Sequence, residues 1–176
     1  MSGSESKVLS SLVIMSGGQS GVDRAALDAA LALSIAYAGW CPKGGWAEDF
    51  PEPPGLLAHY RHLRETPSAD PAERTEWNVR DADATLILTG VGGIAASRGT
   101  MLARELAEKY GKPLLVIDVD APDAKRHVRE WLAALLATNK PGTPFKLGIG
   151  GPRESEAPGI YRKARGLVAG LLRATT

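Results

Sequence analysis

The chain has 176 residues, 44% apolar and 23% charged, which is the balance of one globular domain and not of a disordered protein. Lysine and arginine total 21 against 20 acidic residues, so a net charge of +1 gives no basis for binding nucleic acid or a membrane surface. The single cysteine, Cys41, excludes an internal disulfide framework and fits a reducing cytoplasm. Residues 1–7 are polar and are expected to form a frayed tail, without a secretory signal, ahead of one domain over residues 8–176.

Short apolar runs alternate with helical patterns along the chain. Strands are predicted at residues 12–15, 35–37, 85–88, 114–117 and 146–149, and helices at residues 20–33, 71–81, 100–110, 125–137 and 160–172. Proline and glycine punctuate a long irregular segment at residues 42–55, and loops of that length are often functional. The pattern predicts an α/β fold with a mainly parallel sheet of five or six strands and helices on both faces. Right-handed crossovers then bring each strand-to-helix turn to one edge of the sheet, where ligands bind in such folds.

The first of these turns precedes the helix at residues 20–33. Its glycines allow a ligand to approach the backbone amides, and the helix N-terminus favours an oxyanion. The candidate ligand contacts here are Gly17, Gly18, Gln19, Ser20, Gly21, Asp23 and Arg24. Ser20 and Asp23 also have the spacing of a capping box, so both interpretations of Asp23 remain open.

Two further turns use the same device. The second contributes Gly90, Ser97, Arg98, Gly99 and Thr100, and the third contributes Gly151, Arg153, Glu154 and Ser155. Lys43, which follows the second predicted strand, adds a further cation to this edge. Each arginine alone is typical of a solvated surface, but Arg24, Arg98 and Arg153 in three turns on one edge favour an anion site.

The helix at residues 71–81 carries Arg74, Trp77 and Asn78, a cation, an aromatic plane and an amide that together suit a heterocycle. The alternative is that Trp77 packs into the core while the charges face water. Cys41 has no neighbouring histidine to activate it, which favours a small buried residue over a nucleophile.

Metal binding has little support in the sequence. His59 and His62 lie three residues apart without a further ligand nearby, so no resident metal site is predicted. The loop carboxylates Glu48, Asp49 and Glu52 suit Mg²⁺ bound together with substrate phosphates, but solvation of the loop is the preferred explanation of their presence.

Four motifs occur in order: SGGQSGVDRAALD at residues 16–28, GWCPKG at 39–44, RTEWNVRD at 74–81, and GPRES at 151–155 followed by PGIY at 158–161. From residue 16 to 172 the chain resembles the family named as molybdenum carrier proteins. The resemblance implies a Rossmann-like, three-layer fold. It also implies a relation to molybdenum cofactor carriers and, more distantly, to phosphoribohydrolases that release cytokinin bases, once misnamed lysine decarboxylases.

The resemblance further implies a phosphorylated ligand, either the molybdenum cofactor (molybdopterin) or a nucleotide, and a cytoplasmic homo-oligomer, a dimer or a tetramer. The leading expectation is a non-catalytic carrier, and the alternatives are a phosphoribohydrolase-like enzyme and a nucleotide sensor. The hydrolases carry P-G-G-x-G-T-x-x-E, whose glutamate assists glycosidic cleavage. This chain keeps Gly99 and Thr100 but has Ala103 at the glutamate position, and Glu105 is expected on another face of the helix.

Overall fold

A computed structural model describes residues 12–174, so the tail expected at residues 1–7 lies outside the described residues. Within this range six strands and five α-helices alternate. The strands are β1 (Leu12–Met15), β2 (Ala36–Cys41), β3 (Leu63–Glu65), β4 (Ala84–Thr89), β5 (Leu114–Asp118) and β6 (Phe145–Gly150). The helices are α1 (Val22–Ala32), α2 (Pro71–Asp81), α3 (Arg98–Lys109), α4 (Ala124–Thr138) and α5 (Ile160–Ala174). No helix among residues 12–174 has the length and apolar character needed to cross a bilayer.

The six strands form one parallel sheet in the order β3-β2-β1-β6-β4-β5, which confirms the predicted three-layer, Rossmann-like α/β fold. β6 lies between β1 and β4, with Ile14 beside Leu147 and Thr85 beside Gly148. The turns that follow β1, β4 and β6 therefore leave three adjacent strands at one edge. This is the point where the strand order reverses, and ligands bind at such points in open α/β sheets.

The two faces of the sheet are packed unequally. One face meets α1, α4 and α5 through a large buried cluster that includes Leu86, Leu88 and Leu147. The other face meets α2 and α3, and the separate buried cluster there consists of Val79, Leu106 and Ala107. Far fewer apolar side chains therefore fill the space between the sheet and α2–α3, which leaves room for a cavity.

The starting residues of two helices and the presence of one strand differ from the predictions for local reasons. α1 begins at Val22 and not at residue 20, because Gly21 has φ 79° and ψ −131°, which is not a helical conformation. α3 begins at Arg98, where the Ser97 hydroxyl caps the helix by accepting a hydrogen bond from the Thr100 amide at 3.3 Å. β3 was not predicted, since it has three residues and only Leu63 is buried, too short a segment for an alternating pattern.

Candidate functional site

A cavity of about 520 Å³ lies between the carboxyl ends of β1, β4 and β6 and the helices α2 and α3. This volume falls in the range of small-molecule sites. All three predicted turns and α2 contribute to it. The predicted site residues that line it are Gly17, Gln19, Asp23, Arg74, Asn78, Ser97, Arg98, Gly99, Thr100, Gly151 and Arg153.

The remaining predicted site residues do not line this cavity. They are Gly18, Ser20, Gly21, Arg24, Lys43, Trp77, Gly90, Glu154 and Ser155. Four of them line a separate depression of about 340 Å³ with Asp28, Asp49 and Tyr161, namely Ser20, Gly21, Arg24 and Glu154. The structure thus does not gather the predicted set into one site, and five of its members line neither place, namely Gly18, Lys43, Trp77, Gly90 and Ser155.

Polar groups of the first turn, residues 16–21, and of the start of α1 form hydrogen bonds within the chain. The Ser20 amide donates to Gln19 Oε1 at 3.0 Å, and the Val22 amide donates to the Pro152 carbonyl at 3.2 Å. The Ser20 hydroxyl donates to Glu48, a residue of the irregular segment. Glu48 also accepts a 2.6 Å hydrogen bond from the Ser155 hydroxyl. The prediction that an external oxyanion contacts Ser20, Gly21 and Ser155 is therefore corrected, because the Glu48 carboxylate already lies there.

Arg24 is likewise engaged within the chain. Its two terminal nitrogens donate to Asp49 at 2.8 and 3.0 Å, and its Nε donates to the Gly18 carbonyl at 3.0 Å. The guanidinium also lies 4.7 Å from the ring centroid of Phe50. Arg24 therefore attaches the irregular segment to α1 and contributes no charge to the cavity, contrary to the sequence-based expectation.

The predicted magnesium contacts are not assembled. Glu48 is held by Ser20 and Ser155, and Asp49 is held by Arg24. Among residues 12–174, no group of three or more histidine, cysteine, aspartate or glutamate side chains is placed to hold a metal ion. The solvated-loop alternative is wrong for Glu48, whose carboxylate has two hydroxyl partners, whereas Asp49 is exposed as well as paired with Arg24.

A buried ion pair lies at the floor of the cavity. Arg74 Nη1 is 2.8 Å from Asp23 Oδ2, and both side chains are largely buried. Burial raises the pKa of Asp23, while Arg74 and a hydrogen bond from the Gly151 backbone act in the opposite direction. A Cβ atom on Gly17 would collide with the Arg74 guanidinium, so a side chain at that position would require Arg74 to shift. Asp23 is thus an interior ion-pair partner, and the capping-box interpretation is wrong because its side chain caps no helix.

The heterocycle interpretation of α2 is only partly supported. Asn78 Oδ1 accepts from the Trp40 amide at 2.9 Å, and its Nδ2 donates to the carbonyls of Trp40 and Arg74, each at 2.8 Å. Its amide is therefore committed to the backbone. Trp77 packs edge-to-face against Trp40, with ring centroids 4.7 Å apart, and lies outside the cavity. Trp77 is partly buried and belongs to neither core cluster, and Arg74 is in a buried ion pair, so the alternative of a core tryptophan with solvated charges does not hold either.

Two other residues that the sequence analysis considered, Lys43 and Cys41, do not line the cavity. Lys43 is exposed and does not line it. Burial and the nearby Glu65 raise the pKa of Cys41 to about 11, so the thiol stays protonated near neutral pH. This agrees with the expectation that Cys41 is a small buried residue.

Ser97, at the end of the second turn, and the first residues of α3 line the cavity. Arg98 is exposed there, and Arg153 lies across from Trp46 with its guanidinium 5.6 Å from the ring centroid. Neither arginine forms an ion pair with any residue in the range 12–174. Thr85 and Thr100 also line the cavity and are 4% and 3% exposed, and their hydroxyls have no hydrogen-bond partner among residues 12–174. The cavity therefore presents two unpaired cations and two unsatisfied hydroxyls.

Sequence comparison agrees with this architecture. Residues 14–172 match the model of the circularly permutated YpsA SLOG family. The chain belongs to this family. A protein from Syntrophus aciditrophicus SB described as a "Putative molybdenum carrier protein" has a crystal structure similar to this SLOG protein, with a TM-score of 0.75 and 38% sequence identity. The match covers 90% of this chain and 92% of that one, which confirms the resemblance found in the motifs. No curated protein matches the chain.

The SLOG-family cavity also contains residues that sequence reasoning missed. They include Met15, Ser16, Asp70, Thr75, Val79, Thr85, Ile87, Leu102, Gly148 and Gly150. Thr85 and Ile87 alternate along β4, and Gly148 and Gly150 alternate along β6, so each pair shares the face toward α2 and α3. The two-residue period of these strands places the four residues on one face, but the sequence does not show that this face is the one left open.

Proposed function

We propose that this SLOG-family protein binds a phosphorylated heterocycle, either the molybdenum cofactor or a nucleotide, in the 520 Å³ cavity and carries it unchanged. The relative named as a molybdenum carrier supports this at the level of the family. The observation that carries the proposal is that the unpaired Arg98 and Arg153 and the unsatisfied Thr85 and Thr100 all line one cavity.

The anionic end of the ligand belongs at the N-terminus of α3. The helix dipole and the free amides of its first turn favour negative charge, and a phosphate accepts hydrogen bonds from Gly99 and from the Thr100 hydroxyl. Arg98 and Arg153 supply positive charge at the rim of the cavity. A guanidinium group can donate two parallel hydrogen bonds to two oxygens of one phosphate. α1 offers no such place, because Glu48 lies at its N-terminus.

The ring of the ligand fits the apolar part of the same cavity. Val79 of α2, Leu102 and Ala103 of α3, and Ile87 of β4 line this part. Apolar walls with a few placed polar groups are typical of sites for planar cofactors and nucleotides. A pterin and a purine both meet this description.

The hydrolase alternative has less support from the site. Ala103 lines the cavity at the position where the phosphoribohydrolases carry their glutamate, and Glu105 is exposed and outside the cavity. The carboxylates that do line it are occupied, since Asp23 pairs with Arg74 and Asp70 accepts a hydrogen bond from the Ala72 amide. A general acid for glycosidic cleavage would need a carboxyl free to reach the substrate.

Calorimetric titration with AMP, GMP and a pterin phosphate tests this proposal. Arg98→Ala is expected to weaken binding by about 1.5–3 kcal/mol, the contribution of a hydrogen bond to a charged group. Arg104→Ala is the matched control, because Arg104 lies on the same helix, pairs with Glu108 and does not line the cavity. Equal affinities of the Arg98→Ala and wild-type proteins would contradict the proposed anion site.

Native mass spectrometry of the purified protein complements the titration. A retained small molecule of phosphorylated-heterocycle mass would identify the cargo directly. The same spectrum gives the number of subunits, for which we propose a homo-oligomer. Incubation with nucleoside monophosphates should release no free base, and release of base would favour the enzyme over the carrier.

A further inference from the structure

One wall of the cavity extends well below the sheet edge. Thr85 is the second residue of β4, two residues before Ile87 and four before the end of the strand at Thr89. At about 3.3 Å per residue, the Thr85 hydroxyl therefore lies on the order of 13 Å from the turn that follows β4. The cavity is thus a slot that runs down the sheet face beneath α2 and α3. Val79, which lines the slot, belongs to the buried cluster with Leu106 and Ala107 that fills the space beyond it.

Thr85 differs from Thr89 and Thr75, two other buried threonines near the slot, and shares with Thr100 a hydroxyl without a hydrogen-bond partner among residues 12–174. The Thr89 hydroxyl, on the same face of β4, donates to the Ile117 carbonyl at 3.3 Å. The Thr75 hydroxyl, also at the slot, donates to the Pro71 carbonyl at 3.0 Å. The Thr85 hydroxyl has no partner and is 4% exposed. Because buried hydroxyls are nearly always hydrogen-bonded, this one requires a partner from within the slot.

The surroundings of Thr85 leave space for that partner. Its strand neighbour is Gly148, and a Cβ atom at Gly148 would lie 3.7 Å from the Thr85 hydroxyl. The hydroxyl itself is buried in the slot wall, and the absence of a side chain at Gly148 leaves no Cβ atom packed against it. The Thr85 amide donates to the Pro113 carbonyl at 2.8 Å, which fixes the backbone from which the side chain projects.

We propose that Thr85 determines which ring systems this protein accepts, by hydrogen bonding to a polar atom on the ring edge remote from the phosphate. This inference rests on the proposed function and deepens it, since it places the phosphate at α3 and the ring edge at Thr85. The ligand class is then a phosphorylated planar ring with a hydrogen-bonding atom at its far edge. A sugar phosphate without a ring base cannot make this contact.

Thr85→Val tests the proposal because it removes the hydroxyl and keeps the shape of the side chain. With AMP, GMP and a pterin phosphate as probes, the variant should bind the tightest of the three about tenfold more weakly than the wild type, the scale of one hydrogen bond to a buried group. Thr85→Ser retains the hydroxyl and should remain within about threefold of the wild type. Binding of ribose 5-phosphate, which has no ring base, should not change.

Thr89→Val is the matched control. This residue has the same type, strand and face, but its hydroxyl is paired and lies outside the cavity, so ligand affinity should stay at the wild-type value. The unfolding temperature of Thr85→Val should equal or exceed that of the wild type, because no internal hydrogen bond is lost.

The outcomes separate this inference from the function on which it rests. Equal affinity of wild type and Thr85→Val for the ring phosphates, with Arg98→Ala still weakening them, overturns the role of Thr85 alone. A loss of ribose 5-phosphate binding in Thr85→Val also overturns it, since the effect would then not involve the ring. Failure of the wild type to bind any of the phosphorylated probes overturns the proposed function and this inference together.

Discussion

Two glycine-rich turns in this protein look alike in sequence and differ in structure. The first turn leads into α1 and the second leads into α3, and both follow a strand of the same parallel sheet. At α1, Gln19, Pro152 and Glu48 supply internal partners for the polar groups. At α3, the only internal cap among the described residues is Ser97, and Arg98 has no carboxylate partner.

The difference shows that a glycine-rich turn before a helix is not sufficient for a ligand site. Both turns provide backbone amides and a helix dipole, which are the features that favour an anion. Whether an anion can bind depends on the segments that pack nearby. At the first turn the irregular segment places the Glu48 carboxylate against Ser20. At the second turn no carboxylate of residues 12–174 pairs with Arg98.

The largest expected effect comes from breaking the ion pair beside the first turn. Asp23→Ala leaves the Arg74 guanidinium buried without its partner, and removal of one member of a buried pair costs about 3–5 kcal/mol. Urea unfolding of the two proteins measures this difference in the free energy of unfolding. Asp120→Ala is the control, because its exposed pair with Lys163 contributes at most about 1 kcal/mol. Equal losses in the two variants would show that Asp23 and Arg74 are not effectively buried.

A matched pair of glycine substitutions sharpens the comparison. Gly21 in the first turn and Gly93 in the second both have positive φ, at 79° and 60°. Gly21→Ala should cost about 2–4 kcal/mol, since its new methyl would also collide with the Pro152 carbonyl. Gly93→Ala should cost only about 1–2 kcal/mol, because nothing lies within 4 Å of the added carbon. Thermal unfolding of both variants measures the two losses of stability. A larger loss at Gly93 than at Gly21 would contradict the conclusion that the first turn is packed against other segments and the second is not.

A smaller, pH-dependent effect is expected at Glu48. Its partial burial opposes ionisation, but hydrogen bonds from Ser155 and Ser20 lower its pKa below the usual value. A carboxyl group with a lowered folded-state pKa stabilises the fold above its unfolded pKa of about 4.3 and loses this contribution as the pH falls through the folded pKa. Glu48→Gln should therefore be less stable than the wild type near neutral pH, by about 1 kcal/mol or less.

This difference between Glu48→Gln and wild type should shrink as the pH falls below about 4.3, where the wild-type carboxyl becomes protonated. Urea unfolding at a series of pH values measures it. A difference that stays constant from neutral to acidic pH would mean that the charge of Glu48 does not hold the irregular segment to the first turn.

The fold could be predicted because its signals are local. Apolar runs of four or five residues and amphipathic helices indicated ten of the eleven elements, and β3 escaped because three residues carry no periodicity. The positions of the turns followed from chain handedness alone. Local sequence patterns do not reveal the path of the irregular segment. That path places Asp49 beside Arg24, so Arg24 forms an internal ion pair.

A cavity lies at the predicted edge of the sheet, and only some of the predicted site residues line it. Glycines and arginines in the turns are visible in the sequence, so Arg98 and Gly99 were found. Asn78 was found as a lining residue, but its amide is bound to the Trp40 backbone 38 positions away, a contact that no local pattern reveals. Thr85 and Gly148 were missed because a buried parallel strand is apolar on both faces, which hides the positions where one face lacks a packing partner.

The thin packing between the sheet and α2–α3 has a thermodynamic consequence. A ligand bound in the slot would bury apolar surface that α2, α3 and the sheet leave uncovered. Because it binds only the folded chain, its binding free energy would raise the free energy of unfolding and the melting temperature. A compound present at one hundred times its dissociation constant adds about 2.7 kcal/mol to the unfolding free energy. Melting curves recorded against a library of phosphorylated rings would therefore identify compounds that bind in the slot.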